Sequence, residues 1–351
     1  MIQYNIGMYV RDIGEFALIE RLAKQIELVS SSSQKNKSTP TNLLVTIGDD
    51  TAAWIGNDQT ELLTTDTVVE GVHFVPETST WQSVGWKGLA SNLSDIASMG
   101  GIPTYAVVTL GLPEDTLIQD VEKLYVGLLE AANTFGTTIV GGDIVASPVF
   151  FMTIALTGVT THPPMLRSNA QPGDQIATTG TLGGSLAGLT ILLNNQIPQV
   201  SKPQPLINKH QRPRPRITEG QLLLKAGVTC ATDLSDGLLT NLGTICDASG
   251  HAAHIDTTLV PVDPDVIDVF PESALSMALS GGEDYELLFT APPYVMTTLQ
   301  KQLEQKMHVI GTIEAKRDHA FSNNNLSQIF LFDGDGKPVE LPDSGWDHFR
   351  R

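Results

Sequence analysis

ELLTTDTVV (residues 61–69), WQSVGWKGLASNLSDIASM (81–99) and YAVVTL (105–110) lie one after another in the first third of the chain. The outer two are short runs rich in β-branched and aliphatic residues, which predicts strands. Between them Trp86, Leu89, Ala90, Leu93 and Ala97 recur at helical spacing, which predicts an amphipathic helix. Working outward, strand-like runs stand at 43–47, 137–140 and 149–159, with helical patterns at 14–28 and 115–135. Alternation of this kind predicts α/β (α+β mixed) architecture. The stretch 160–173, with three prolines and a glycine, reads as a boundary. A second set follows it: strands at 174–178, 229–233, 252–260 and 285–290, and helices at 185–193, 217–226 and 237–246. At about 150 residues per domain, the 351 residues fit two domains, 1–160 and 161–351.

Asp and Glu number 39 against 21 Lys and Arg, a net charge of −18. A nucleic-acid or membrane-surface binder needs a basic patch, and this composition offers none. With 41% hydrophobic and 17% charged residues the chain is neither disordered nor fibrous. The two cysteines, Cys230 and Cys246, form no CxxC pair and read as reduced thiols. The first residues lack a signal-peptide pattern, and no apolar run reaches the ~18 residues of a membrane span. A cytoplasmic location is therefore expected. The polar run SSSSQKNKSTPTN (30–42) reads as a surface loop.

The acids carry the chemistry. Several are expected where an apolar strand meets a Gly- or Ser-rich turn: Asp49-Asp50, Asp66, Gly142-Asp143, Asp233 with Ser235-Asp236, and Glu283. Strand ends are where α/β folds place ligands. A single Asp after a strand is most often a turn or cap residue, and Asp49 is read that way. Ser235 is read as the cap of the helix at 237–246, freeing Asp236. Five such corners together point to hard oxygen ligands for Mg²⁺, since no Cys or paired His accompanies them. Ser91, Asn92 and Asp95 share a polar face of the 81–99 helix and extend the set. GxxxxGK[ST] is absent, as are the protein-kinase motifs. GTLGG (180–184) before a helix could receive a phosphate on its N-terminus or be a plain turn. His251 and His254 read as structural, and Arg212, Arg214 and Arg216 as a solvated lead-in to a helix or, alternatively, a phosphate contact.

Taken in order, GEFALIERL, IGDDTA, TTDTVVEGVHF, WKGLASNLSDIASMG, GGD, LRSNAQPGD, DLSDGL, LSGGEDYELLFT and GWDHF span residues 14–349. In that combination the chain resembles the thiamine-monophosphate kinase family, whose superfamily includes aminoimidazole ribonucleotide synthetase and selenophosphate synthetase. The resemblance implies a two-domain ATP-binding fold whose N-terminal halves pair through a β-barrel into a homodimer. It implies transfer of the ATP γ-phosphoryl group to thiamine phosphate, assisted by several Mg²⁺ ions. Carried over residue by residue, Asp50, Thr64, Thr65, Asp66, Asp95, Asp143, Asp233 and Asp236 would hold metal. Tyr125, Gly142, Asp143, Arg167 and Ser235 would contact ATP, and His73, Glu283 and Trp346 the thiamine phosphate. The family continues GGD with Thr-Thr-Arg, whereas Ile144-Val145-Ala146 stand here. That departure is the support for one alternative, a nucleotide- and metal-binding sensor without catalysis; the other alternative is a related ATP-dependent enzyme of the superfamily with a different acceptor.

Overall fold

The structure is a computed structural model and describes residues 43–45, 49–56, 58–193, 203–303, 306–316 and 328–340. The expected helix at 14–28, the Ser-rich run and Trp346 lie outside the described residues. The first half comprises β1 (Leu43–Val45), β2 (Ala52–Ile55), β3 (Thr60–Val69), α1 (Trp81–Ser98), β4 (Ile102–Leu112), α2 (Ile118–Phe135), β5 (Thr138–Ala146) and β6 (Phe151–Thr160). Its six-stranded sheet runs β1-β2-β3-β6-β4-β5. All its pairs are antiparallel except β4 with β5, which α2 joins as a crossover. In β6 every second residue is buried, and Met152, Ile154 and Leu156 pack toward the helices. In β3 the residues facing the helices are Leu62, Thr64 and Asp66; Leu63, Thr65 and Thr67 are exposed on the other face. The sheet is open, and among the described residues of a single chain no barrel closes.

The second half comprises β7 (Gln175–Thr179), α3 (Gly184–Leu193), α4 (Gln204–Gln211), α5 (Ile217–Lys225), β8 (Cys230–Asp233), α6 (Leu238–Ser249), β9 (His251–Asp256), α7 (Pro264–Val269), α8 (Ala274–Ser280), β10 (Leu287–Ala291), α9 (Pro293–Gln302), β11 (Met307–Ala315), β12 (Ile329–Phe332) and β13 (Pro338–Val339). Its seven strands run β13-β12-β9-β11-β7-β10-β8, antiparallel apart from β9 with β12. Every residue of β10 is buried. Leu287 and Phe289 join the same apolar cluster as α1 and α2, while Leu288 packs with α6 on the other side. Apolar clusters lie on both faces of this sheet, and its inner strand β10 accordingly reads as a nearly continuous apolar run.

Helix α1 is the common wall of the two halves. Thr80 caps it by accepting from the Ser83 backbone N–H at 3.1 Å. It then buries Leu89, Leu93 and Ile96 completely. It crosses α2 at glycines: a Cβ on Gly127 would lie 1.8 Å from the Gln82 carbonyl oxygen, and one on Gly85 2.0 Å from that of Leu124. Only glycine lets the two backbones come so near.

Two expected corners are not corners. Residues 64–66 lie in the middle of β3, and β5 continues through Gly141, Gly142 and Asp143 to Ala146. The glycines allow this because Gly142 pairs with Val108 at a separation that admits no Cβ, the Val108 carbonyl oxygen being 1.9 Å from where one would stand. Helix α2 begins three residues later than expected, after Leu117 in an extended conformation. The strand expected over 252–260 ends at Asp256, whose carboxylate accepts from Thr258 N and starts a 3₁₀ turn.

Gly127→Ala is expected to destabilise the protein by about 2 kcal/mol despite the ~1 kcal/mol helix preference of Ala, because overpacking at a backbone contact outweighs propensity. Thermal unfolding by circular dichroism checks this; an unchanged or raised Tm would mean that the helices can separate at little cost.

Candidate active site

Three carboxylates meet where β8, α1 and the segment before β2 converge. Oxygens of Asp50, Asp95 and Asp233 all lie within 4.8 Å of one another. Each has separate support. Ser98 Oγ donates to Asp50 Oδ2 at 2.9 Å, Thr232 Oγ1 donates to its Oδ1 at 3.2 Å, and the Arg167 guanidinium forms an ion pair with it. Thr64 Oγ1 donates to Asp95 Oδ2 at 2.5 Å, linking β3 to α1. Ser235 Oγ reaches Asp233 Oδ1 at 3.3 Å, but Oδ2 of Asp233 is buried with no hydrogen-bond partner. Asp49 accepts from the backbone N–H groups of Asp50 and Arg167, which bears out its reading as a structural residue.

Gathering these groups disfavours their ionisation. Burial, and after it the charges of Asp66, Asp233 and Asp50, push the Asp95 carboxyl well above its usual range. Asp233 is raised to about 8 by burial and then by Asp50, and Asp66 is raised by burial, against a hydrogen bond from Ser91. Arg167 is buried too, yet Asp50, Asp49 and Asp233 keep it firmly protonated. A cluster of hard oxygens with an unpartnered buried carboxylate oxygen and one guanidinium for several acids fits a divalent cation such as Mg²⁺.

The cluster opens into a cavity of about 590 Å³ that Asp66, Asp95, Asp233, Ser235, Asp236, His73 and Glu283 all line. That is the size of a small-ligand site. Its far wall carries a second polar group. Lys87 Nζ donates to Glu283 Oε2 at 2.6 Å, and His210 Nδ1 stands 3.4 Å from the same oxygen. Burial tends to raise the Glu283 carboxyl, but Lys87, then His210, holds it below the ordinary glutamate range. His210 is pressed to about 4 by burial and by Lys87, so it is neutral. Ser185 Oγ lies 3.1 Å from His210 Nδ1, a Ser–His contact that the sequence did not reveal. It is not a nucleophile dyad of the triad kind: serine and carboxylate share one ring nitrogen, whereas a triad needs the acid on the other.

The GTLGG turn does not offer its helix N-terminus to a phosphate. The Asp284 carboxylate occupies it, accepting from Gly183 N at 2.7 Å and Ser185 N at 3.0 Å. On either side of Asp284, Glu283 and Tyr285 adopt φ of 64° and 51°. Non-glycine residues in that region cost about 1–3 kcal/mol each and concentrate at functional sites.

The structure thus brings Asp50, Thr64, Asp95 and Asp233 together, with Asp66, Ser235, Asp236, His73 and Glu283 around the adjoining cavity. It does not bring Thr65, Asp143, Tyr125 or Gly142 to them. Thr65 faces the opposite side of β3 and donates to the Ile154 carbonyl. Asp143 is exposed on the edge strand β5, and Tyr125 lines a smaller hollow with Leu112 and Ile118. Ser235 is not the cap of α6; Gly237 holds that position, and the Asp236 N–H donates to Asn241 instead. Asn92 is buried and ties Asp66 N to the Gly88 carbonyl, so it braces the site from within the helix. Of the run 212–216 only Arg214 is solvated: Arg216 pairs with Glu286, Arg212 stacks on Trp86 and pairs with Glu130, and Pro213 O accepts from the Trp86 indole. Lys87 and His210 were not foreseen. Lys87 stands one and two turns before Ser91 and Asp95, a signal available in the sequence; nothing in the run around His210 marked it.

In the absence of divalent cation, Asp233→Asn is expected to keep or raise Tm. The unfolded Asp233 ionises near 3.8 and the folded one near 8, so its contribution to stability is full below the lower value and lost as pH rises through the upper one. The Tm of chelated wild type should therefore fall between about pH 5 and about pH 8 more than that of Asp233→Asn. Parallel curves in scanning calorimetry would count against a charge-strained cluster.

Two profiles of one family match this chain: AIR synthase related protein, N-terminal domain, over residues 48–160, and its C-terminal domain over residues 171–322. The chain is 38% identical to the thiamine-monophosphate kinase of Escherichia coli O157:H7 over 344 residues, 96% of this chain and 98% of that protein. It is 32% identical to the enzyme of that name from Aquifex aeolicus, over 97% of this chain and 100% of that one. The solved structure of AaThiL complexed with AMPPCP and TMP superposes with a TM-score of 0.82 at 31% identity, covering 98% of this chain and 100% of the other. Acid cluster, adjoining cavity and nearly full-length similarity agree, and the chain belongs to the thiamine-monophosphate kinase family.

Proposed function

We propose that this chain transfers the γ-phosphoryl group of ATP to the phosphate of thiamine phosphate, giving thiamine diphosphate and ADP, with Mg²⁺ as the required ion. The observation that carries the reading is the continuity of the Asp50–Asp95–Asp233 cluster with the cavity that holds His73 and Glu283. The solved relative with AMPPCP and TMP supports the two substrates. Asp50, Asp95 and Asp233 would hold metal, with Asp66 and Asp236 beside them; Thr64 supports Asp95 through its hydrogen bond. His73 and Glu283 would contact the acceptor, and Trp346 is assigned to the same ligand by family resemblance.

The acceptor phosphate has a second pKa of about 6, so near neutral pH it is already mostly a dianion and needs no general base. That matches a cavity whose one Ser–His contact lacks a triad's geometry. The obstacle is repulsion between two polyanions, and a bound Mg²⁺ supplies the positive charge that screens it. The chain's own part is to hold the carboxylates ready and to fix the acceptor's position through the cavity walls. Arg167, through Asp50, adds a fixed positive charge at the cluster.

We further assign the chain to a homodimer, with residues 1–160 as the pairing domain and 161–351 completing each cleft. The support is β5, an edge strand exposed along most of its length. Val140 and Ile144 there and Tyr105 on β4 are more than half exposed. Pairing at that edge is the arrangement in which Asp143, Gly142 and Tyr125 would take part in nucleotide binding.

Purified protein with Mg·ATP and thiamine phosphate is expected to form thiamine diphosphate and ADP in equal amounts by chromatography. Asp66→Asn and Asp236→Asn should each lower kcat by roughly 100-fold or more. ADP without thiamine diphosphate would point to another acceptor, and bound ATP with no ADP to a sensor. Excess chelator should abolish nucleotide binding as well as turnover, because without the ion nothing at the cluster offsets the charge of the phosphates; tight ATP binding in EDTA, read by equilibrium dialysis, would sink the metal assignment.

A further inference from the structure

One buried cation of the cavity has no part in the scheme above. Lys87 shares with Ser91 and Asp95 the face of α1 that borders the cavity, and its side chain is only 13% exposed. A buried ammonium requires a matched partner, and Glu283 provides it across the cavity, from the segment whose left-handed backbone carries that carboxylate inward. The contacts are asymmetric. Lys87 Nζ at 2.6 Å and His210 Nδ1 at 3.4 Å both address Oε2, and Oε1 makes no hydrogen bond to any described residue. His210 is itself fixed by Ser185 on one ring nitrogen, while Lys87 stands 3.5 Å from the other. One carboxylate oxygen is thus clamped while its twin remains for a ligand, an arrangement suited to receiving an N–H donor at a set angle.

Resting on the kinase reading, we propose that Lys87 is a positioning residue for acceptor selection: with His210 it clamps Oε2 of Glu283 so that Oε1 accepts from the exocyclic amine of the acceptor's aminopyrimidine. The ligand class this selects is an amino-substituted heterocycle bearing a phosphate monoester. An acceptor with a carbonyl in place of the amine presents an oxygen to the ionised carboxylate and is rejected, because two acceptors face each other.

The test compares thiamine phosphate with oxythiamine phosphate, its amine replaced by a carbonyl, in the full-length enzyme with saturating Mg·ATP. Wild type should favour the amino form by about 30-fold in kcat/KM, the size of one charge-assisted hydrogen bond. Lys87→Met should raise KM for thiamine phosphate, leave KM for ATP unchanged and bring the preference toward parity. Lys87→Arg, which keeps the charge, should restore most of the preference. Equal losses for both acceptors in Lys87→Met would reduce the residue to a purely structural role and overturn the proposal, as would an undiminished preference. Should Lys87→Met fail to fold, His210→Gln carries the same comparison, and a preference undiminished there would also overturn it. Wild type inactive on thiamine phosphate would be a failure of the kinase reading, visible before any variant is made.

Discussion

Mutual repulsion among Asp50, Asp95 and Asp233 is the constraint around which the rest is arranged. Three carboxylates within 4.8 Å cannot all be charged without either cations or strong donors, and among the described residues the cluster has only Arg167 and a few hydroxyls. Their positions come from unrelated parts of the chain: a loop before β2, the last turn of α1 and the end of β8. Holding such parts together against their own electrostatics requires large apolar contacts elsewhere. Those contacts are the α1–α2 crossing at Gly85 and Gly127, the packing of β6 beneath them and the flank of β10. The energetics of the core and the chemistry of the site are therefore opposed locally and balanced globally.

The architecture was legible in the sequence because its signals are local. Periodicity gave α1 and α2, β-rich runs gave β3, β4 and β6, and the proline-rich stretch after Thr160 separates the strands of the two sheets. Strand ends were less legible. Gly141-Gly142 reads as a turn on composition, yet an edge strand can run through glycines when its neighbour sits close, as Val108 does. That depends on a partner remote in sequence, which local chemistry does not encode.

The site divides in the same way. Asp50, Asp95 and Asp233 could be singled out because acids are unusual where they stand, at the ends of apolar runs or on a nearly uncharged helix. Which acids actually meet could not be, since it depends on how β8 docks against α1. Thr65 and Thr64 are adjacent in sequence but lie on opposite faces of β3, so one enters the site and its neighbour cannot. Lys87 hid within a stretch that was already prominent for its Asp, and His210 came from a run with no pattern at all.

The apolar cluster that includes Leu89 and Leu93 of α1 also includes Leu287 and Phe289 of the second sheet and Leu299 of the helix beyond it. The two halves therefore share one apolar seam, flanked by the ion pairs Arg167–Asp50, Arg212–Glu130 and Lys87–Glu283. Relative domain motion is the default for weakly joined domains and is suppressed when the junction is large and hydrophobic. A junction built in this way opposes a wide hinge opening between the two halves.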